Sequence, residues 1–130
     1  MNVISEIPLS SDNTIKTVKY ATTPKMSTYL LAFVVGPFEY IEDYTTGEFN
    51  GHPIRTRVYT LPSFTSQGRH ALNVATKTLE YYAQVFGVPY PLPKLDLIAI
   101  PDFDAGAMEN WGLVTFRTTA VSIYIKYMQT

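Results

Sequence analysis

An α+β fold is what this sequence predicts, with an antiparallel, β-rich first half followed by a helix and further strands. Two observations carry that expectation. Before Leu61 the chain is a series of short runs rich in aromatic and β-branched residues, each bounded by Pro, Gly, Asn or Asp. After Pro62 the apolar residues fall into helical spacing instead, and strand-like runs return only beyond Pro93.

The strand expectations are Ile15 to Ala21, Tyr29 to Val35, Phe38 to Tyr44 and Ile54 to Thr60. Tyr29 to Val35 is the most apolar run, closed by Gly36-Pro37, and reads as a buried strand. In Ile54 to Tyr59 the alternation sets Arg55, Arg57 and Tyr59 on one face and Ile54, Thr56 and Val58 on the other, so one face is expected to be wet. Thr45 to Gly51 supplies the Gly and Asn chemistry to join the third and fourth runs as a hairpin. From about Thr65 to Phe86 a helix is expected, with Leu72, Ala75, Leu79, Tyr82, Ala83 and Phe86 on its apolar stripe. Thr65 or Ser66 can cap it, Gly87 can close it in the left-handed conformation, and Pro89 prevents its continuation. Leu95 to Ile100 and Leu113 to Arg117 complete the strands, separated by the Pro101-Asp102-Phe103-Asp104 bend. The composition shift puts a boundary near Leu61 to Ser63.

Composition excludes several classes of function. The ten Lys and Arg are spread along the chain and balanced by eleven acids, so no basic stripe invites nucleic acid. No run approaches the roughly 20 apolar residues that span a bilayer. The first residues lack the basic start and apolar core of a signal peptide. There is no cysteine, which agrees with a reducing compartment and leads to a cytoplasmic expectation.

The most informative stretch is Gly106-Ala107-Met108-Glu109-Asn110-Trp111-Gly112. Glu109 is an acid in an otherwise uncharged run, Asn110 can donate and accept, and the two glycines permit close backbone approach. Read from the residues alone, the stretch is either a peptide-binding segment or a turn with Met108 and Trp111 as core side chains. Gly106 to Asn110 resembles the signature of the zinc-dependent gluzincin aminopeptidases, the family of aminopeptidase N and the puromycin-sensitive aminopeptidase. Thr22-Thr23-Pro24-Lys25-Met26-Ser27-Thr28-Tyr29-Leu30-Leu31-Ala32-Phe33 and Tyr90-Pro91-Leu92-Pro93-Lys94-Leu95-Asp96 resemble two further segments of that family, in the same order. The resemblance runs to about Thr119.

That resemblance implies the end of an amino-terminal β-domain over residues 1–61, the start of a thermolysin-like catalytic domain over 62–119 and a divergent tail over 120–130. It also implies that Glu109 binds the free α-amino group of a peptide substrate. The backbone of Gly106, Ala107 and Met108 would pair with that peptide at a sheet edge, with Asn110 beside it. A carboxylate at fixed distance from the metal would make the enzyme count from the amino end. Zn2+ is implied as cofactor, yet the family's His-Glu-x-x-His ligand helix is absent, and the only histidines, His52 and His70, lack metal-ligand spacing. No metal or catalytic residue is therefore assigned.

Asp102 and Asp104 read as turn residues, Arg117 as a solvated strand end or a partner for a cleft acid, Trp111 as a core or cleft-wall aromatic, and Lys94 and Asp96 as groups that orient their strand. The expected function is a segment of a zinc metallo-aminopeptidase that carries amino-end recognition without the hydrolytic residues, alone inactive. Its partners would be a peptide with a free amino terminus and the remainder of the catalytic domain. A non-catalytic peptide-binding or interaction module is the alternative.

Overall fold

In the computed structural model, which describes residues 1–11, 14–47 and 51–122, the chain is α+β. The element order is β1 (Val3–Pro8), β2 (Lys16–Tyr20), a 3-10 turn (Thr28–Leu30), β3 (Glu39–Tyr44), β4 (Arg55–Thr60), a second 3-10 turn (Thr65–Gly68), α1 (Arg69–Phe86), β5 (Lys94–Ile100), β6 (Ala107–Met108), β7 (Leu113–Arg117) and α2 (Thr118–Ser122). β1 and β2 form an antiparallel pair. The other strands form one five-stranded sheet in the order β3-β4-β5-β7-β6. Pairing is antiparallel for β3 with β4 and β6 with β7, but parallel for β4 with β5 and β5 with β7. The parallel steps follow from the connections: α1 returns the chain between β4 and β5, and β6, running antiparallel to β7, returns it between β5 and β7.

Each sheet face has its own chemistry. Val58, Leu97, Ala99 and Val121 join Leu72 and Ala75 of α1 in the core. Val58 and Leu72 are fully buried, and burying such side chains contributes about 1.5 to 3 kcal/mol each. Only the amino-terminal half of the α1 stripe is covered. Tyr82 and Phe86 are exposed, because α1 runs past the sheet that buries Leu72, and an apolar cavity of about 640 Å³ opens between α1, β5 and β7. The opposite face carries Arg55, Arg57 and Tyr59, expected to be wet. They are half-buried and line a second cavity of about 610 Å³, roofed in part by Leu30, Ala32 and Phe38. Arg57 is held there by Glu42 at 2.8 Å, by the Tyr59 hydroxyl at 3.3 Å and by stacking over the Tyr40 ring.

Three sequence expectations need correction. Tyr29 to Val35 is not a buried strand: it opens as a 3-10 turn capped by Ser27, and Tyr29, Leu31, Phe33 and Val35 are exposed. A strand requires a ladder partner, and no described strand pairs with this run. Neither Thr65 nor Ser66 caps α1; both lie inside the 3-10 turn, and no side chain caps the helix at Gly68. β1 is a strand that composition concealed, since nearly all its residues are exposed and its order comes from the ladder to β2. At the other helix end Gly87 adopts φ 65°, the left-handed conformation expected of it. The hairpin joining β3 and β4 falls partly, and the tail beyond Ser122 wholly, outside the described residues.

Candidate functional site

β6 lies at the edge of the five-stranded sheet, where Ala107 pairs with Phe116 and Met108 with Thr115. Its other edge meets no described strand. An edge strand leaves half of its backbone N–H and C=O groups directed away from its neighbour. Gly106 continues the ladder, its carbonyl accepting from the Arg117 N–H at 3.1 Å. A Cβ built on Gly106 would meet no atom within 4 Å, so the chain itself does not use the close approach that this glycine permits.

Glu109 follows directly. Its side chain is exposed and makes no hydrogen bond or ion pair with another described residue. Its main chain is held on both sides. The Thr115 hydroxyl lies 3.4 Å from the Met108 carbonyl and 3.2 Å from Asn110 Oδ1, a shared bond between neighbouring strands. Asn110 is buried, and its Nδ2 donates to the Leu30 carbonyl at 3.4 Å. Both ends of that amide are thus engaged within the chain, and Asn110 anchors the segment to the 3-10 turn at Thr28–Leu30.

Beyond Asn110 the chain turns. Leu113 N–H donates to the Asn110 carbonyl at 3.0 Å, and Gly112 has φ 84°, as the third position of a type II turn demands. Two donors from β5 reach the Gly112 carbonyl: Lys94 Nζ at 2.8 Å and the Asp96 N–H at 3.1 Å. Lys94 Nζ also contacts Asp96 Oδ2 at 2.6 Å, an ion pair whose side chains are only 6% and 10% exposed. Asp96 Oδ1 is buried with no partner among the described residues. The Met1 ammonium senses the same pair and is held below its ordinary value, first by burial and then by the Lys94 charge. Burial, and next the Asp96 charge, push the Tyr90 phenol upward, and its hydroxyl donates to the Lys94 carbonyl at 3.3 Å.

The remaining charged candidates are structural. Arg117 pairs with no acid among the described residues; its guanidinium donates to the carbonyls of Phe103 and Asp104 and so closes the bend before Gly106. Asp102 takes φ 52°, a turn conformation that Asp tolerates. Trp111 is half-buried and lines the cavity on the polar sheet face. Thr115 and the Leu30 carbonyl escaped sequence reasoning, and nothing local in the sequence marks them. Lys94 and Asp96 had a signal: opposite charges two apart in an otherwise apolar strand point to the same face and pair there.

Zinc does not fit the residues present. Among the described residues no group of three His, Cys, Asp or Glu is placed to hold a metal; His52 lies in the connection before β4 and His70 in α1. What the segment presents is an exposed carboxylate with no partner among the described residues, next to a strand edge that no described strand covers.

Residues 70–130 match the Peptidase family M1 domain. The puromycin-sensitive aminopeptidase of Caenorhabditis elegans is 50% identical over 123 residues, covering 95% of this chain and 12% of that protein. Aminopeptidase M1 of Arabidopsis thaliana is 50% identical over 121 residues, 91% of this chain and 13% of the relative. Human aminopeptidase N is 47% identical over 116 residues, 88% of this chain and 12% of the relative. The chain therefore spans about an eighth of the length of these relatives, and on this similarity it belongs to peptidase family M1.

Proposed function

We propose that this chain contributes amino-end recognition to an M1 aminopeptidase. Glu109 holds the free α-ammonium of a peptide while the Gly106–Met108 backbone pairs with the peptide as an added strand. The observation that carries the reading is the conjunction, among the described residues, of a β6 edge that no strand covers with an exposed Glu109 that has no partner directly after it. The peptide would add to the edge through main-chain bonds, and the carboxylate would fix its register at the amino end. Asn110 serves this by holding the backbone from beneath rather than by touching ligand.

Hydrolysis in such an enzyme requires a zinc-activated water, for which this sequence supplies no ligand set. The chain acts through binding, in a cytoplasmic setting consistent with its lack of cysteine. The same missing donors favour a second reading, a non-catalytic peptide-binding module. In domain terms, residues 1–61 correspond to the end of an amino-terminal β-domain, 62–119 to the start of a thermolysin-like domain and 120–130 to a divergent tail. Support for that division is the family match beginning at residue 70; the sheet itself is continuous across it, with β4 pairing to β5.

The test is an amide-resolved NMR titration of the chain with an alanyl tripeptide amide. Concentration-dependent shifts confined to residues 106–110 and 115–117 are expected. Shifts concentrated instead along α1 would replace this site with the apolar cavity.

A further inference from the structure

We infer that the buried Lys94–Asp96 pair is a positioning device for Glu109, an inference that rests on the amine-binding reading above. The reason lies in where the pair spends its hydrogen bonds. A buried ion pair is a weak source of stability, because desolvating both charges offsets most of their attraction, and well-packed apolar residues in its place are often as stable. Here the pair sits at the start of an otherwise apolar strand, so packing alone does not call for it. Its third interaction leaves β5: Lys94 Nζ donates to the Gly112 carbonyl, which the Asp96 N–H also reaches.

That carbonyl belongs to the turn that begins one residue after Glu109. Gly112 is pressed against the start of β5 and the residues before it, closely enough that a Cβ would lie 2.9 Å from Leu92 Cδ1 and 3.7 Å from the Lys94 carbonyl. The turn is therefore clamped from β5 by Lys94 and Asp96, and from β7 by Thr115 through Asn110. Glu109 immediately precedes both clamps, one residue before Asn110 and three before Gly112, and its side chain makes no hydrogen bond or ion pair with another described residue. A solvent-exposed carboxylate gains little from an ammonium unless its backbone is already in place, because ordering it on binding offsets the attraction. The Lys94–Asp96 pair supplies that order in advance. Asp96 orients the Lys94 ammonium, Lys94 fixes the Gly112 carbonyl, and the turn fixes the direction in which Glu109 leaves the sheet edge.

The experiment compares affinities of the full chain for an alanyl tripeptide amide and its acetylated twin, in the parent and in variants. For an exposed carboxylate the parent should prefer the free amine by roughly two- to fivefold. Lys94→Met should abolish this preference while leaving affinity for the acetylated peptide within about twofold of the parent. Thr45→Ala removes a buried hydroxyl bonded to the Ile54 N–H just past the end of β3, two strands away from β5, and should lower stability while keeping the preference. If Lys94→Met does not fold, Asp96→Asn serves instead, and loss of the preference is again expected. Retention of the free-amine preference by the folded variant, or an equal loss in Thr45→Ala, overturns the positioning role while the amine-binding reading stands. Absence of preference in the parent, or its survival in Glu109→Gln, refutes that reading and this inference with it.

Discussion

Replacing glycines one at a time separates the two demands that the structure places on its turns, namely left-handed backbone and close packing. Gly106 has neither demand, Gly87 has φ 65° with open space around it, and Gly112 has φ 84° with Leu92 Cδ1 at 2.9 Å from its absent Cβ. An alanine in left-handed backbone costs about 1 to 2 kcal/mol, and restricting the unfolded chain returns roughly 0.5 to 1. Gly87→Ala should therefore destabilise by about 0.5 to 1.5 kcal/mol. Leu92 is buried at 2% exposure and cannot swing into solvent, so Gly112→Ala adds an overpacking term of about 1 to 3 kcal/mol. The net loss should be about 1.5 to 4.5 kcal/mol, a fall in Tm of roughly 5 to 20 °C for a chain of this size. Gly106→Ala should be neutral or slightly stabilising, by up to about 1 kcal/mol. Urea unfolding read by the fluorescence of Trp111, the chain's one tryptophan, measures all three. Gly112→Ala falling within about 0.5 kcal/mol of Gly87→Ala would refute the close packing of the turn on β5.

Glu80 on α1 accepts hydrogen bonds from the Thr46 N–H and hydroxyl, and these hold its carboxyl below its ordinary value of 4.5. Its stabilising contribution is complete above that value and is lost as pH falls through the lower folded value. Acid unfolding of Glu80→Gln should accordingly show a flatter dependence than the parent below about pH 4.5, and parallel curves would contradict the contact. Asn110→Ala leaves the Leu30 carbonyl without its side-chain donor and removes the acceptor of Thr115; thermal unfolding should show a loss of about 1 to 3 kcal/mol. After exchange into metal-free buffer the chain should retain far less than one zinc per molecule, and stoichiometric retention would contradict the missing-donor argument.

The α+β class, the helix end at Gly87 and the β7 strand were legible because each depends on local chemistry: periodicity, a left-handed glycine, β-branched residues. Glu109 stands out in the sequence for a similar reason, as a lone acid between glycines. What failed was whatever depends on a distant partner. Tyr29 to Val35 has the composition of a buried strand, but a strand needs a ladder partner, and no described strand pairs with this run. β1 has an unremarkable composition and owes its order to β2. The parallel pairing of β4, β5 and β7 joins segments far apart in sequence. The role of Asn110 shows the same limit at the site: its residue type suggests a ligand contact, whereas Thr115 and the Leu30 carbonyl, 80 positions away from it, take up its hydrogen-bonding groups.

The central claim, that Glu109 reads the amino end of a peptide, is tested most directly by a double-mutant cycle. Glu109→Gln forms one axis and acetylation of the tripeptide amine the other, with affinity for the full chain as the readout. The account predicts a coupling of about 0.5 to 1 kcal/mol, the scale of an exposed ion pair, with acetylation changing nothing further once Glu109 is Gln. Zero coupling, with acetylation weakening the parent and Glu109→Gln equally, would show that the carboxylate does not hold the amine.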